Sequence, residues 1–232
     1  MAETTTLLGM TLPGTSDPAD ITQITGNFSL IETFLQTYVR ASGIGRAAAS
    51  VDSLDNAKTF GLYATNVGVP DIAAKVYWTC LVLPMNSTQT IVQIAYQGTY
   101  DPVRFAIRRM TSGAWGEWEY PNPPMSAGVE YRTTERWGGK PVYKKRVQYV
   151  TIDAGADGKD IKIPHGITGV EMFVHVEGFM NASGGTYRFP YLSSNGSLTT
   201  INAAGTDNIT IKSQSGFSGE RTWHLDLAYT KT

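Results

Sequence analysis

Arg221-Thr222-Trp223-His224-Leu225-Asp226-Leu227-Ala228-Tyr229-Thr230 alternates from end to end. Successive side chains of an extended chain point to opposite sides, so Trp223, Leu225, Leu227 and Tyr229 share one face. His224 and Asp226 point the other way. An apolar period of two, carried by aromatic and branched residues, marks a strand with one face in a core and one in water. Working upstream, strands are predicted at 208–213, 198–201, 186–192, 170–179 and 147–153. Gly184-Gly185, Ser193-Ser194-Asn195-Gly196 and Ser215-Gly216-Phe217-Ser218-Gly219 supply the turns between them. Short strands at this spacing predict a C-terminal β-sandwich, jelly-roll-like, over 147–232.

The middle of the chain reads the same way. Strands are predicted at 75–83 and 90–96. Val103-Arg104-Phe105-Ala106-Ile107-Arg108-Arg109-Met110 alternates, with Val103, Phe105, Ile107 and Arg109 on one face. Thr111-Ser112-Gly113-Ala114 turns the chain and Trp115-Gly116-Glu117-Trp118 returns it, as in an antiparallel meander. Tyr120-Pro121-Asn122-Pro123-Pro124 fits neither a helix nor a central strand, because the prolines remove donors. A boundary is expected there. A Pro-rich hinge and hairpin linker follow over 122–146, with Gly138-Gly139 at the hairpin turn.

The first 57 residues are of a different kind. Pro18 suits the first position of a helix and Asp20 its first turn. Ile21, Ile24, Phe28, Ile31, Leu35 and Tyr38 follow at spacings of three and four, a heptad stripe. Arg40 in the last turn and Ser42-Gly43 as a stop complete a helix over about 18–41. The stripe fits an amphipathic helix packed on its own domain or a short coiled coil between copies; the small, polar stretch 41–57 offers no sheet face to receive it, and bulky residues at both heptad positions favour three strands, so a trimeric bundle is expected. The expected fold class is therefore mainly β: an N-terminal helix, a small antiparallel knob over 58–121, and the sandwich.

Composition bounds the function. With 41% hydrophobic and 17% charged residues the chain can build a core, which excludes wholesale disorder. A net charge of −1 argues against a general nucleic-acid binder. One cysteine gives no internal disulfide and no thiolate zinc cluster. No apolar run reaches the roughly 18 residues of a membrane span. The opening MAETTTLLGM lacks a basic region followed by an apolar one, so no secretion signal is expected.

Catalytic chemistry finds little footing. His165, His175 and His224 have no partner at metal-ligand spacing. Asp153-Ala154-Gly155-Ala156-Asp157-Gly158 lacks the third-position ligand of a calcium loop, and Pro164 stands where its closing Glu belongs. Cys80 lies mid-strand between Thr79 and Leu81, as a small core residue does. Glu117 with Glu119, or Glu130 with Glu135, read as solvated surface rather than as a glycosidase pair. No enzyme, cofactor or metal is expected. A binding surface remains. Aromatic rings stack on sugar C–H patches while amides and guanidinium groups read hydroxyls. Asn181, Tyr187, Arg188 and Tyr191, with Phe217 and His224 from the last hairpin, are the candidate glycan-binding residues. Tyr187 and Tyr191 stack only if they point outward, and the same alternation would carry both into the core.

Three stretches carry a resemblance. Gly61-Leu62-Tyr63, Asn66, Pro70, Trp78, Gln93-Ile94-Ala95, Arg104-Phe105, Arg108-Arg109 and Gly113-Ala114-Trp115-Gly116-Glu117-Trp118, in that order, resemble the pyocin-knob module of phage tail fibres. Trp137-Gly138-Gly139-Lys140-Pro141-Val142-Tyr143-Lys144-Lys145 resembles the element that opens the C-terminal domain of many phage fibres. Pro164-His165-Gly166-Ile167 is similar to a turn of the same domain. The resemblance implies a trimeric tail-fibre or receptor-binding protein of a phage or phage-like particle. The N-terminus would attach to other tail or baseplate proteins, and the distal head would meet a host cell-surface saccharide. The expected location is the virion periphery, after synthesis in the host cytoplasm, with no nucleic-acid partner and no membrane insertion. A purely structural fibre and a glycan-cleaving fibre are the rivals. The second usually carries a long repeat, and no repeat period is visible here.

Overall fold

The computed structural model describes residues 3–4, 11–12, 21–35, 48–70, 77–87, 89–97, 104–152, 160–182, 185–192, 198–213 and 219–232. Among them the chain is mainly β, and it divides into two compact units, Met1–Glu117 and Trp118–Thr232.

In the first unit β1 (Glu3–Thr4) pairs with β2 (Thr11–Leu12), and α1 spans Ile21–Phe34. The expected helix ends, with Pro18, Tyr38, Arg40 and Ser42-Gly43, lie outside the described residues. A six-stranded sheet follows in chain order. Its strands are β3 (Ala49–Ser50), β4 (Gly61–Thr65), β5 (Trp78–Ser87), β6 (Thr90–Gln97), β7 (Arg104–Thr111) and β8 (Ala114–Trp115). All neighbours are antiparallel except β3 and β4. Trp78, Cys80, Val82, Ile91, Ala95, Ala106 and Met110 form its buried face, closed by Leu54 and Ala57 from a 3₁₀ turn at Leu54–Asn56.

On β7 the alternation holds, but Ala106, Arg108 and Met110 are the inward set, while Phe105 is 50% exposed. The reason is a polar clasp. Gln93 Nε2 donates to the Leu54 and Ala57 carbonyls at 2.7 and 2.9 Å, and its Oε1 accepts from Arg108 Nε at 2.8 Å. The Arg108 guanidinium also meets Asp55 Oδ1 at 2.8 Å and lies 4.3 Å over the Trp115 ring. A buried guanidinium is tolerated only where its donors are met, and here an amide, a carboxylate and an aromatic face meet them. Burial lowers the Arg108 pKa, and Asp55 opposes that shift.

The second unit is two facing antiparallel sheets. One has the order β13-β12-β17-β10-β9, from β9 (Glu130–Trp137), β10 (Lys140–Ile152), β12 (Val170–Ala182), β13 (Gly185–Arg188) and β17 (Glu220–Lys231). The other has the order β11-β16-β15-β14, from β11 (Asp160–Pro164), β14 (Tyr191–Leu192), β15 (Leu198–Ala204) and β16 (Asn208–Ser213). Trp223, Leu225, Leu227, Tyr229, Val147 and Met180 from the first meet Ile161, Ile163, Ile209 and Ile211 from the second. The predicted inward face of the last strand is thus the floor of the core.

Three details differ from the sequence reading. The run 186–192 is two strands, because the chain leaves one sheet for the other at Phe189-Pro190. Pro190 has no N–H for a ladder, and the Phe189 N–H instead bonds the Gly178 carbonyl at 3.0 Å. The hairpin set apart within 122–146 lies inside the five-stranded sheet, since β10 pairs with β17 along Tyr143–Ile152. Gly138 and Gly139 have φ of 56° and 81°, the left-handed pair that a two-residue hairpin turn requires. The expected hinge is itself tied to this sheet. Tyr120 N–H donates to Arg132 O at 2.9 Å, and Gly128 N–H to Arg146 O at 2.8 Å.

Candidate functional site

The face of β10, β17, β12 and β13 turned away from the core carries three of the six predicted binding residues. Cross-strand register fixes it. Gln148 pairs with His224, His224 with Phe179, and Phe179 with Arg188, so these four form one row across four strands. The next row contains Val150, Thr222, Asn181 and Thr186. On the other side lies Arg146, Asp226 and Glu177.

Within these rows the contacts are specific. The imidazole of His224 stacks on the Phe179 ring at 4.5 Å, with 15° between planes. Thr186 Oγ1 donates to Asn181 Oδ1 at 2.8 Å, and Asn181 Nδ2 lies 3.3 Å from His224 Nε2. Burial, with Arg146 second, holds the His224 pKa below the ordinary histidine value, and Asp226 opposes the shift. Arg146 grips Asp226 with two bonds of 2.6 Å. Beyond that pair the face opens into a cleft of about 190 Å³, lined by Asn122, Lys144, His175, Glu177 and Asp226 among others.

The structure brings Asn181, Arg188 and His224 onto this one face. It turns Tyr187 the other way. Tyr187 pairs with buried Met180, packs against the core, and meets Tyr191 edge-on at 4.7 Å. Tyr191 lies in the opposite sheet. Neither ring points outward on this face; Phe179 is the aromatic ring there, stacked on His224. Phe217 lies outside the described residues. Phe179, Thr186 and Gln148 share this face without having been among the candidates. Parity along β12 was the available signal, since Phe179 and Asn181 must share a face if Met180 points inward.

Cys80, His165 and the glutamates Glu119, Glu130 and Glu135 have structural occupations. Cys80 is fully buried, and burial pushes its thiol up to about 12, with Arg108 opposing. His165 is buried in its turn. Its Nδ1 accepts the Ile167 N–H at 3.1 Å and its Nε2 contacts Gly205 O at 3.1 Å. Glu119 holds Arg132 and Arg136, Glu135 holds Lys144, and Glu130 bonds Tyr229 and Lys231. Among the described residues no three His, Cys, Asp or Glu side chains gather as a metal site.

No family model and no curated protein matches the chain. Three solved structures are similar to it, all pyocin tail fibres. The C-terminal part of the R1 pyocin fibre of P. aeruginosa matches at 9% identity and TM-score 0.29, over 82% of this chain and 69% of that one. An N-truncated R2-type pyocin tail fibre matches at 12% identity and TM-score 0.27, over 80% of this chain and 99% of that one. The C-terminal part of the P. aeruginosa R2 fibre matches at 12% identity and TM-score 0.25, over 77% and 65%. TM-scores of this size do not establish a shared fold.

Proposed function

We propose that this chain is a tail-fibre protein of a phage or phage-like particle that attaches to a saccharide on the host cell surface through the outer face of its five-stranded sheet. The observation that carries the reading is the row Gln148, His224, Phe179 and Arg188 with Asn181 and Thr186 beside it. It combines what sugar recognition needs: ring surface for C–H patches, amides and a hydroxyl for sugar hydroxyls, and a guanidinium. The residues sit on paired strands, which hold them in place better than loops do. The order of motifs from Gly61 to Ile167, which resembles phage fibres, supports the wider assignment.

The protein works as a homotrimer joined in part through α1. Ile24, Phe28 and Leu35 of the heptad stripe are 43%, 67% and 46% exposed in the single chain, which leaves an apolar strip for other copies. The N-terminal segment attaches to other tail or baseplate proteins. Linked heads make later contacts intramolecular, so weak single sites suffice, with gains on the order of 10² to 10⁴. The test is competition. Purified full-length protein should bind a host envelope fraction and block adsorption of the particle. Failure to do either would replace this reading with that of a structural fibre.

A further inference from the structure

Arg188 differs from the other lysines and arginines of its sheet. Arg136 holds Glu119, Lys144 holds Glu135, Arg146 holds Asp226 and Lys231 holds Glu130. Lys145 donates to the Gly166 carbonyl at 3.0 Å. Arg188 is exposed and has neither an ion pair nor a hydrogen bond to any described residue. Its row otherwise holds Gln148, Phe179 and His224, whose pKa burial keeps below the ordinary histidine value. The next row, with Asn181 and Thr186, carries no charge at all. The nearest carboxylates of this face, Asp226 and Glu177, lie one row away. Asp226 is occupied by Arg146, and Glu177 is 3.4 Å from His175. Among the described residues the patch therefore presents one positive charge without an ion-pair partner, beside ring surface and two hydrogen-bonding side chains, with Glu220 two rows away on the far side.

A guanidinium offers parallel N–H donors in a planar fork that matches a carboxylate in two-bond geometry. One fork balances one negative charge. A sugar phosphate monoester carries nearly two at neutral pH and calls for a second cation, which the described residues of the patch do not supply. We infer that the saccharide bound on this face bears a carboxylate, as uronic and sialic acid units do, and that Arg188 receives it. This rests on the saccharide-binding reading above and adds its ligand class.

Full-length protein is applied to an array in which saccharides bearing uronate or sialate lie beside their carboxyl-reduced, neutral forms, with neutral and phosphorylated glycans as further spots. Reduction of the carboxylate should weaken binding about tenfold or more, the size of a lost charge-assisted pair. Arg188→Gln should lose as much on the acidic form and nothing further on the reduced form, as a two-way cycle requires. Its melting temperature should equal that of the parent. Binding that survives carboxyl reduction or Arg188→Gln overturns the carboxylate and leaves the saccharide reading standing. Preference for phosphorylated spots overturns the carboxylate too. If the parent protein binds no saccharide, both readings fall.

Discussion

Gly178 occupies a place where only a hydrogen fits. A Cβ there would lie 2.6 Å from the His224 carbonyl oxygen, 2.6 Å from Leu225 Cδ2 and 3.3 Å from the Phe189 ring. Backbone cannot yield as a flexible side chain can. Gly178→Ala should therefore destabilise the second unit by roughly 1–3 kcal/mol, read as a fall in melting temperature. It should also disturb His224, next to the clash. His224 itself predicts a pH effect. Its folded pKa lies below the ordinary value, so the unfolded chain takes up the proton first on acidification. Stability should fall as pH drops through about 6.5 and level off below the folded value. Melting curves at descending pH should show this, and His224→Gln should flatten it. In the first unit, Arg108→Ala leaves Gln93 Oε1 buried without its donor and should cost roughly 1–3 kcal/mol in denaturant unfolding. Arg109→Ala, at an exposed position, should stay within about 0.5 kcal/mol. Such assignments were half legible. Arg188 and Asn181 were readable as exposed from chemistry alone, whereas Tyr187 could be placed only once Met180 was known to face inward.

At the scale of elements, periodicity carried the most information. β17 was readable almost to its ends because Trp223, Leu225, Leu227 and Tyr229 are large and apolar while Thr222, His224 and Asp226 between them are polar. β7 was readable as a strand but misleading about its core side, since Arg108 outranks Phe105 there through partners far away in sequence. Pro190 was the overlooked signal that 186–192 is not one ladder strand. The α1 stripe gives a test of its own. Phe28→Asp with Ile31→Asp should leave a single folded chain intact, because Phe28 is already 67% exposed, yet should abolish a helix-mediated assembly. Light scattering should then show the parent above one-chain mass and the double variant near it. A parent at one-chain mass would refute the trimer.

For the molecule as a whole, the division after Glu117 predicts that a chain beginning at Trp118 folds alone, with strand-type circular dichroism and one cooperative melt. A broad or absent transition would contradict that independence. The sequence placed a boundary near the prolines because they punctuate. What it could not reveal is that Tyr120 and Gly128 are already bonded to β9 and β10, a matter of long-range pairing invisible to local pattern. One feature of that pairing governs how the protein is made. β17 lies at the centre of the five-stranded sheet, between β10 and β12, although it is the last of those strands in the chain. At roughly 5–20 residues per second, a ribosome needs several seconds to pass from Ile152 to Glu220. Through that interval β10, and β12 from Ala182 onward, hold open ladders facing a strand that does not yet exist, so the nascent unit is most exposed to mispairing just before its synthesis reaches Lys231.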